Sequence, residues 1–217
     1  MLNTGSEYVK AVKKTALIGF PITAGHLSHV LMGFFDTIQV GGLGPDYIAA
    51  SGVATAVYWL FTLIGTGILF VVAPMIAEAF GEKKPAKAVS IFKDSIALAG
   101  VISFITTIFF FLLIKKFEWF GQPKHINILA IKYLWIVNFS TPALIFFTAG
   151  RQMLEGLGKT TPVMIINFSG LVCNVALNDI LIYGKIGLPA MGIQGAATAT
   201  CITRYLQLIA IFFVLFR

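Results

Sequence analysis

One carboxylate stands in the apolar run between about Ala16 and Val40, and it is Asp36. Placing an ionised side chain at the centre of a hydrocarbon layer costs about 2.5–3.5 kcal/mol on insertion scales, so such a group faces a bundle interior or a wet cavity, where it can bind a proton or a cation. A blander reading stays open, in which Asp36 lies close enough to a helix end to reach interfacial water.

Three asparagines supply partners for that chemistry. Asn167, Asn174 and Asn178 are separated by seven and four residues and form one stripe on an α-helix. In a bilayer a polar stripe must pack inward, where amide oxygens beside a carboxylate can hold a proton or replace water around Na⁺. The competing role for asparagine in a membrane is to hydrogen-bond helices together. His26, His29, Gly33 and Asp36 form a second stripe, at spacings of three, four and three. Two histidines on one face suggest metal ligation or a proton relay, but no third and fourth ligand are in view, so packing histidines are favoured, with His29 the better relay candidate. Pro21 removes a backbone hydrogen bond within the same helix, which predicts a bend that either serves as a hinge or is static.

The elements that must position these groups follow from composition. The chain is 58% apolar and only 12% charged, with a mean hydropathy of +0.89, against about a quarter charged in a soluble domain. An integral membrane protein is implied, and 217 residues are best counted in spans of roughly 20 residues. The apolar runs and their breakers predict helices at about 16–40, 47–80, 91–114, 128–154, 161–183 and 193–216, preceded by a polar segment, 1–15. No strand alternation of the membrane-barrel kind is present. The first run is too long, and lacks the small-residue pattern, for a cleaved signal. Cys173 and Cys201 fall within apolar runs and read as small hydrophobes. The net charge of +7 comes from lysines in short loops, which argues for membrane orientation rather than nucleic-acid binding.

Lys10, Lys13 and Lys14, then Lys83, Lys84, Lys87 and Lys93, then Arg151, Lys159 and Arg217 mark one side of the membrane, so both termini are expected in the cytoplasm. Lys115, Lys116, Lys124 and Lys132 dilute the contrast. With helices one and five running outward, Asp36 lies about one turn from the outer end of its helix, and Asn174 and Asn178 lie within about two turns of theirs. Helix six starts at the same end, bringing Thr198 and Thr200 to that depth. Four polar groups can therefore converge in the outer half. Asp179 points about 100° away from the asparagine stripe and reads as interfacial, while Arg204 is expected to pair with a carboxylate or to snorkel.

The order of Pro21, Gly33-Phe34-Phe35-Asp36-Thr37, Gly42-Leu43-Gly44 with Ala49-Ala50, and Pro74 to Gly81 resembles the amino-terminal half of multidrug and toxic compound extrusion (MATE) transporters. The likeness continues through Tyr133-Leu134, Pro142, Arg151, Gly156 and Pro162 to Asn174, Asn178, Tyr183-Gly184 and the segment from Gly192 to Thr200. What the resemblance implies is an all-α membrane protein whose six transmembrane helices form one lobe, residues 16–217, of a twelve-helix transporter. The implied activity is antiport of cationic or amphipathic compounds against H⁺ or Na⁺ across a bacterial-type inner membrane. Asp36, Asn174, Asn178 and Thr200 match the family's ion-coupling positions, with Na⁺ ligation by these four as one form of coupling. The chain departs from the family pattern in carrying Asn178 where some members have a carboxylate, Glu78 in place of a glutamine, and a single lobe. A missing carboxy-terminal lobe or a partner chain is thus implied, since alternating access rocks one repeat against another.

Rival functions are a lipid-linked oligosaccharide flippase of the same superfamily, which needs a basic cavity, and a scaffold that does not transport. The placed cavity residues are neutral or acidic, favouring cationic substrates over pyrophosphate. An intramembrane enzyme is disfavoured, because the spans show no paired catalytic carboxylates, no nucleophile with an oriented base and no metal-ligand cluster.

Overall fold

The computed structural model describes residues 4–217. Helix α1 runs Thr4–Gly41, α2 Pro45–Leu69, α3 Val72–Gly81, α4 Pro85–Ile114, α5 Lys124–Asn138, α6 Thr141–Gly156, α7 Thr160–Tyr183 and α8 Ile193–Phe216, with a 3-10 turn at Phe117–Phe120. Among the described residues five segments are long and apolar enough to cross a membrane, Pro45–Gly81 counting as one, and the bent pair α5 and α6, counted as one span, makes a sixth. The six spans predicted from hydropathy are present. Two details differ from that reading: α1 extends back to Thr4 through most of the polar start, with residues 1–3 outside the described part, and two spans are broken.

Prolines account for the breaks. The pyrrolidine ring clashes with the carbonyl four residues earlier and provides no N–H to bond it. Pro74 lies four residues after Phe70, where α2 gives way to α3, and Pro142 lies four after Asn138, where α5 ends. At the second break the axis turns by 47°. Pro21, by contrast, sits within the continuous α1, where the nearest carbonyl to be disturbed is that of Leu17.

Helix α1 packs chiefly on α7, and α7 on α8; α8 also lies against α5 and α6. The largest apolar core gathers Tyr58, Phe110, Phe117, Leu134, Val137, Ile182, Ile193 and Ala197 from most of the helices. Phe20, Phe104, Ile105 and Phe213 remain exposed on the outside of the bundle, as expected of surfaces that meet lipid tails, where helices satisfy their own backbone. The hairpin between α7 and α8 closes tightly. Gly184 ends α7 with φ of 71°, in the left-handed region favoured by glycine. Past it the chain folds back so that Met191 N–H donates to Leu181 O at 2.9 Å and Gly192 N–H to Ile182 O at 3.1 Å.

Candidate functional site

The end of α1, the end of α7 and the start of α8 meet at one end of the bundle. Tyr183 ties the first two, its hydroxyl donating to Gln39 O at 2.6 Å. Asp36 is half-buried there, and Asn174 and Asn178 are wholly enclosed. The stripe deduced from the asparagine spacing is thus turned inward against α1, and Thr200 of α8 joins it.

The geometry centres on the Asn178 amide. Its Nδ2 donates to the Asp36 carboxylate, to Gln39 Oε1 at 3.0 Å and to Asn174 Oδ1 at 3.3 Å. Three oxygens converge on a group that has two hydrogens. Asn178 Oδ1, meanwhile, is buried with no hydrogen-bond partner among the described residues, an uncommon state for an enclosed acceptor. Asn174 Nδ2 reaches Thr200 Oγ1 at 3.5 Å, and the Thr200 hydroxyl itself donates to Ala196 O at 3.0 Å. The cluster is rich in oxygen acceptors of the kind that bind hard cations, and it supplies one negative charge.

Asp36, Asn174, Asn178 and Thr200 are therefore neighbours, as their spacing suggested. Thr198 is not among them; it donates to Gln194 O on its own helix at 2.8 Å. Asn167 lies further along the stripe, beside Gly25 of α1. Asp179 points away and pairs with Lys185 at 2.7 Å. His29 sets its ring edge against Trp59 at 5.1 Å between centroids and lines the same cavity as Asp36. Among the described residues no three His, Cys, Asp or Glu side chains cluster as metal ligands. Gln39 was missed by the sequence reading, although it stands one helical turn after Asp36 on the same face. It donates to Val175 O at 3.0 Å as well as accepting from Asn178.

The cavity beside this cluster holds about 370 Å³ and is lined by Asp36, Thr37, Trp59, Tyr133, Thr200 and Arg204, among others. Arg204 is the main correction to the sequence reading. Among the described residues it pairs with no carboxylate, and it does not reach the surface: 8% exposed, it donates from Nη1 to Tyr58 Oη and Ser140 Oγ, both at 2.7 Å. The cavity is consequently not confined to neutral and acidic walls.

The family follows from residues 21–180, which match the MatE family model. The chain belongs to the MatE family. It is 30% identical over 201 residues to the multidrug resistance protein NorM of Photobacterium profundum, covering 93% of this chain and 44% of that protein. Among solved structures it is similar to an outward-facing multidrug resistance MATE family transporter of the MOP superfamily, with a TM-score of 0.84, 25% identity, and coverage of 94% of this chain and 45% of that one. A MATE crystal structure in complex with MaD5 gives a TM-score of 0.86 at 26% identity, over 94% of this chain and 46% of that one. This MatE chain thus spans a little under half the length of those relatives. Its likeness to them confirms the six-span, multi-pass membrane fold expected from the sequence.

Proposed function

We propose that this chain forms the amino-terminal lobe of an ion-coupled multidrug antiporter, in which Asp36, Asn174, Asn178 and Thr200 hold the coupling ion and Gln39 orients the asparagine amide. The observation that carries the reading is the convergence of Asp36, Gln39 and Asn174 oxygens on Asn178, with Asn178 Oδ1 left without a partner among the described residues. A proton on Asp36, or Na⁺ drawn in by this oxygen set, relieves the excess of acceptors. Rotation of the Asn178 amide would bring its free oxygen to the ion.

In this reading cationic or amphipathic compounds enter the cavity next to Asp36 and compete with the ion for its charge. Ion occupancy then decides whether α1 can pack against α7 or bends at Pro21, with His29 on the cavity wall as a proton relay. The cycle requires a second lobe, contributed by a carboxy-terminal half or by another chain, against which this one rocks. The lobe sits in the plasma membrane with both termini in the cytoplasm, as the lysine distribution favours. Transport by relatives described as multidrug resistance proteins supports the substrate class.

The test is binding of a fluorescent lipophilic cation to the purified chain across pH and Na⁺ concentration, with Asp36→Asn alongside. Binding that responds to H⁺ or Na⁺ in the native chain and not in Asp36→Asn supports the assignment. An identical response in both sinks the role of Asp36.

A further inference from the structure

Arg204 is a buried cation in the wall of the cavity, and its hydrogen bonds within the lobe use only part of its capacity. Nη1 has two hydrogens, which go to Tyr58 Oη and Ser140 Oγ. The guanidinium carbon also lies 4.9 Å from the centre of the Tyr58 ring, a cation–π contact that holds the plane in place. Nε and both hydrogens of Nη2 donate to no protein group among the described residues. No carboxylate forms a salt bridge with Arg204 there either; Asp36 faces it only across the cavity, and an enclosed guanidinium is costly without a close counter-charge.

The surroundings fix the group rather than let it move. Tyr58 Oη is shared with Thr141 Oγ1 at 3.2 Å, Thr141 donates to Asn138 Oδ1 at 3.4 Å, and Asn138 Nδ2 donates to Thr107 O at 3.2 Å. Arg204 of α8 is thereby braced through α2, α6 and α5 to α4, at the break where α5 becomes α6. Counted along the helices at 1.5 Å per residue, Arg204 lies about 16 Å below the start of α8 and Asp36 about 8 Å below the end of α1. The two opposite charges line one cavity at depths about 9 Å apart.

We propose that Arg204 forms a second, anion-binding subsite in this cavity, so that the favoured substrates are zwitterionic amphiphiles whose carboxylate reaches Arg204 while their cationic end lies toward Asp36. The proposal rests on the transport reading above and narrows its substrate class. A bidentate approach to Nε and Nη2 gives the carboxylate two parallel charge-assisted bonds, which lysine could not offer. It also gives Arg204 a close counter-charge, where the lobe offers only the more distant Asp36 across the same cavity. A lipophilic monocation of the same size leaves that charge unpaired and should bind less well.

The experiment compares rhodamine B, a zwitterion with a free carboxylate, with its ethyl ester, a monocation of nearly the same shape. Fluorescence anisotropy is read on the purified chain in nanodiscs against empty nanodiscs of the same lipid. The native chain should favour the zwitterion by about tenfold or more, the increment of a charge-assisted pair. Arg204→Gln should bring the ratio close to one, and Arg204→Lys should leave it between the two. A native chain that binds both dyes without preference, or favours the ester, overturns the subsite while leaving the antiporter reading intact; binding of neither dye overturns both. Should Arg204→Gln fail to fold, the native-chain ratio still decides. A loss of thermal stability in the variants with an unchanged ratio identifies Arg204 as a brace only.

Discussion

Gly195 offers a direct test of how closely the candidate site depends on the α7–α8 hairpin. A Cβ built there would lie 2.6 Å from both the carbonyl carbon and oxygen of Leu181, and 2.8 Å from the Ile182 nitrogen. Ordinary contact begins near 3.4 Å, so Gly195→Ala demands a separation of about 0.8 Å. The atoms in the way are backbone, and they are held: Leu181 O accepts from Met191 N–H and Ile182 O from Gly192 N–H. The strain must therefore move the first turn of α8 off α7. Overpacking of this kind costs about 1–3 kcal/mol, which for a chain of this size lowers the melting temperature by roughly 2–12 °C. Thr200 lies little more than one turn further along α8, and its contact with Asn174 is already 3.5 Å. A shift of the calculated size ends it. The assay is thermal unfolding of the purified chain, with Gly67→Ala as control, since Gly67 faces open space and its replacement should stabilise α2 by about 0.5–1 kcal/mol. If Gly195→Ala melts with the native chain while Gly67→Ala behaves as stated, the close-approach argument is refuted.

Other consequences can be checked with the same preparation. Asn178→Leu removes the donor shared by Asp36, Gln39 and Asn174 and should cost about 1–3 kcal/mol in unfolding measurements; in a cycle with Asp36→Asn the two losses should fall short of additive, and strict additivity would show that the side chains do not interact. Tyr183→Phe deletes the hydroxyl bonded to Gln39 O and should lower stability by about 0.5–1.5 kcal/mol, with a weaker Na⁺ or H⁺ response because Gln39 loses its anchor; a native response would separate the latch from the site. In the turn between α3 and α4, hydrogen bonds from Lys84 and Lys87, together with the charge of Lys87, hold the Glu82 carboxyl below its ordinary value of 4.5. Its folded value is depressed, so the contribution of Glu82 is present above the unfolded value and disappears as pH falls through the folded one. Titration of a side-chain-labelled glutamate signal should show this midpoint shift, and Glu82→Gln should remove the accompanying acid-side loss of stability.

Much of the site was legible because helical periodicity in a membrane has one physical solution. Asn167, Asn174 and Asn178 cannot face lipid, and the antiparallel order of spans sets the depth of Asp36, Asn178 and Thr200 without any knowledge of packing. The helix breaks were written in the sequence too, since Pro74 and Pro142 each forbid a bond to a carbonyl four residues earlier, but a hydropathy count joins segments across such points. Arg204 was misread for a different reason. Its length suggested snorkelling, yet it lies too far along α8 to reach the end at which that helix begins, and the broken span places Ser140 and Tyr58 where its hydrogen bonds are needed. The available signal was its spacing: Arg204 follows Thr200 by four residues, so the two share a face of α8. The same relation ties the proposed ion site to the proposed anion subsite, because any tilt or rotation of α8 that separates Thr200 from Asn174 must also shift Arg204 against Tyr58 and Ser140. In the proposed reading, an ion that tightens one end of the cavity thereby shifts the guanidinium at the other, which would be the differential contact that coupling between ion and substrate requires.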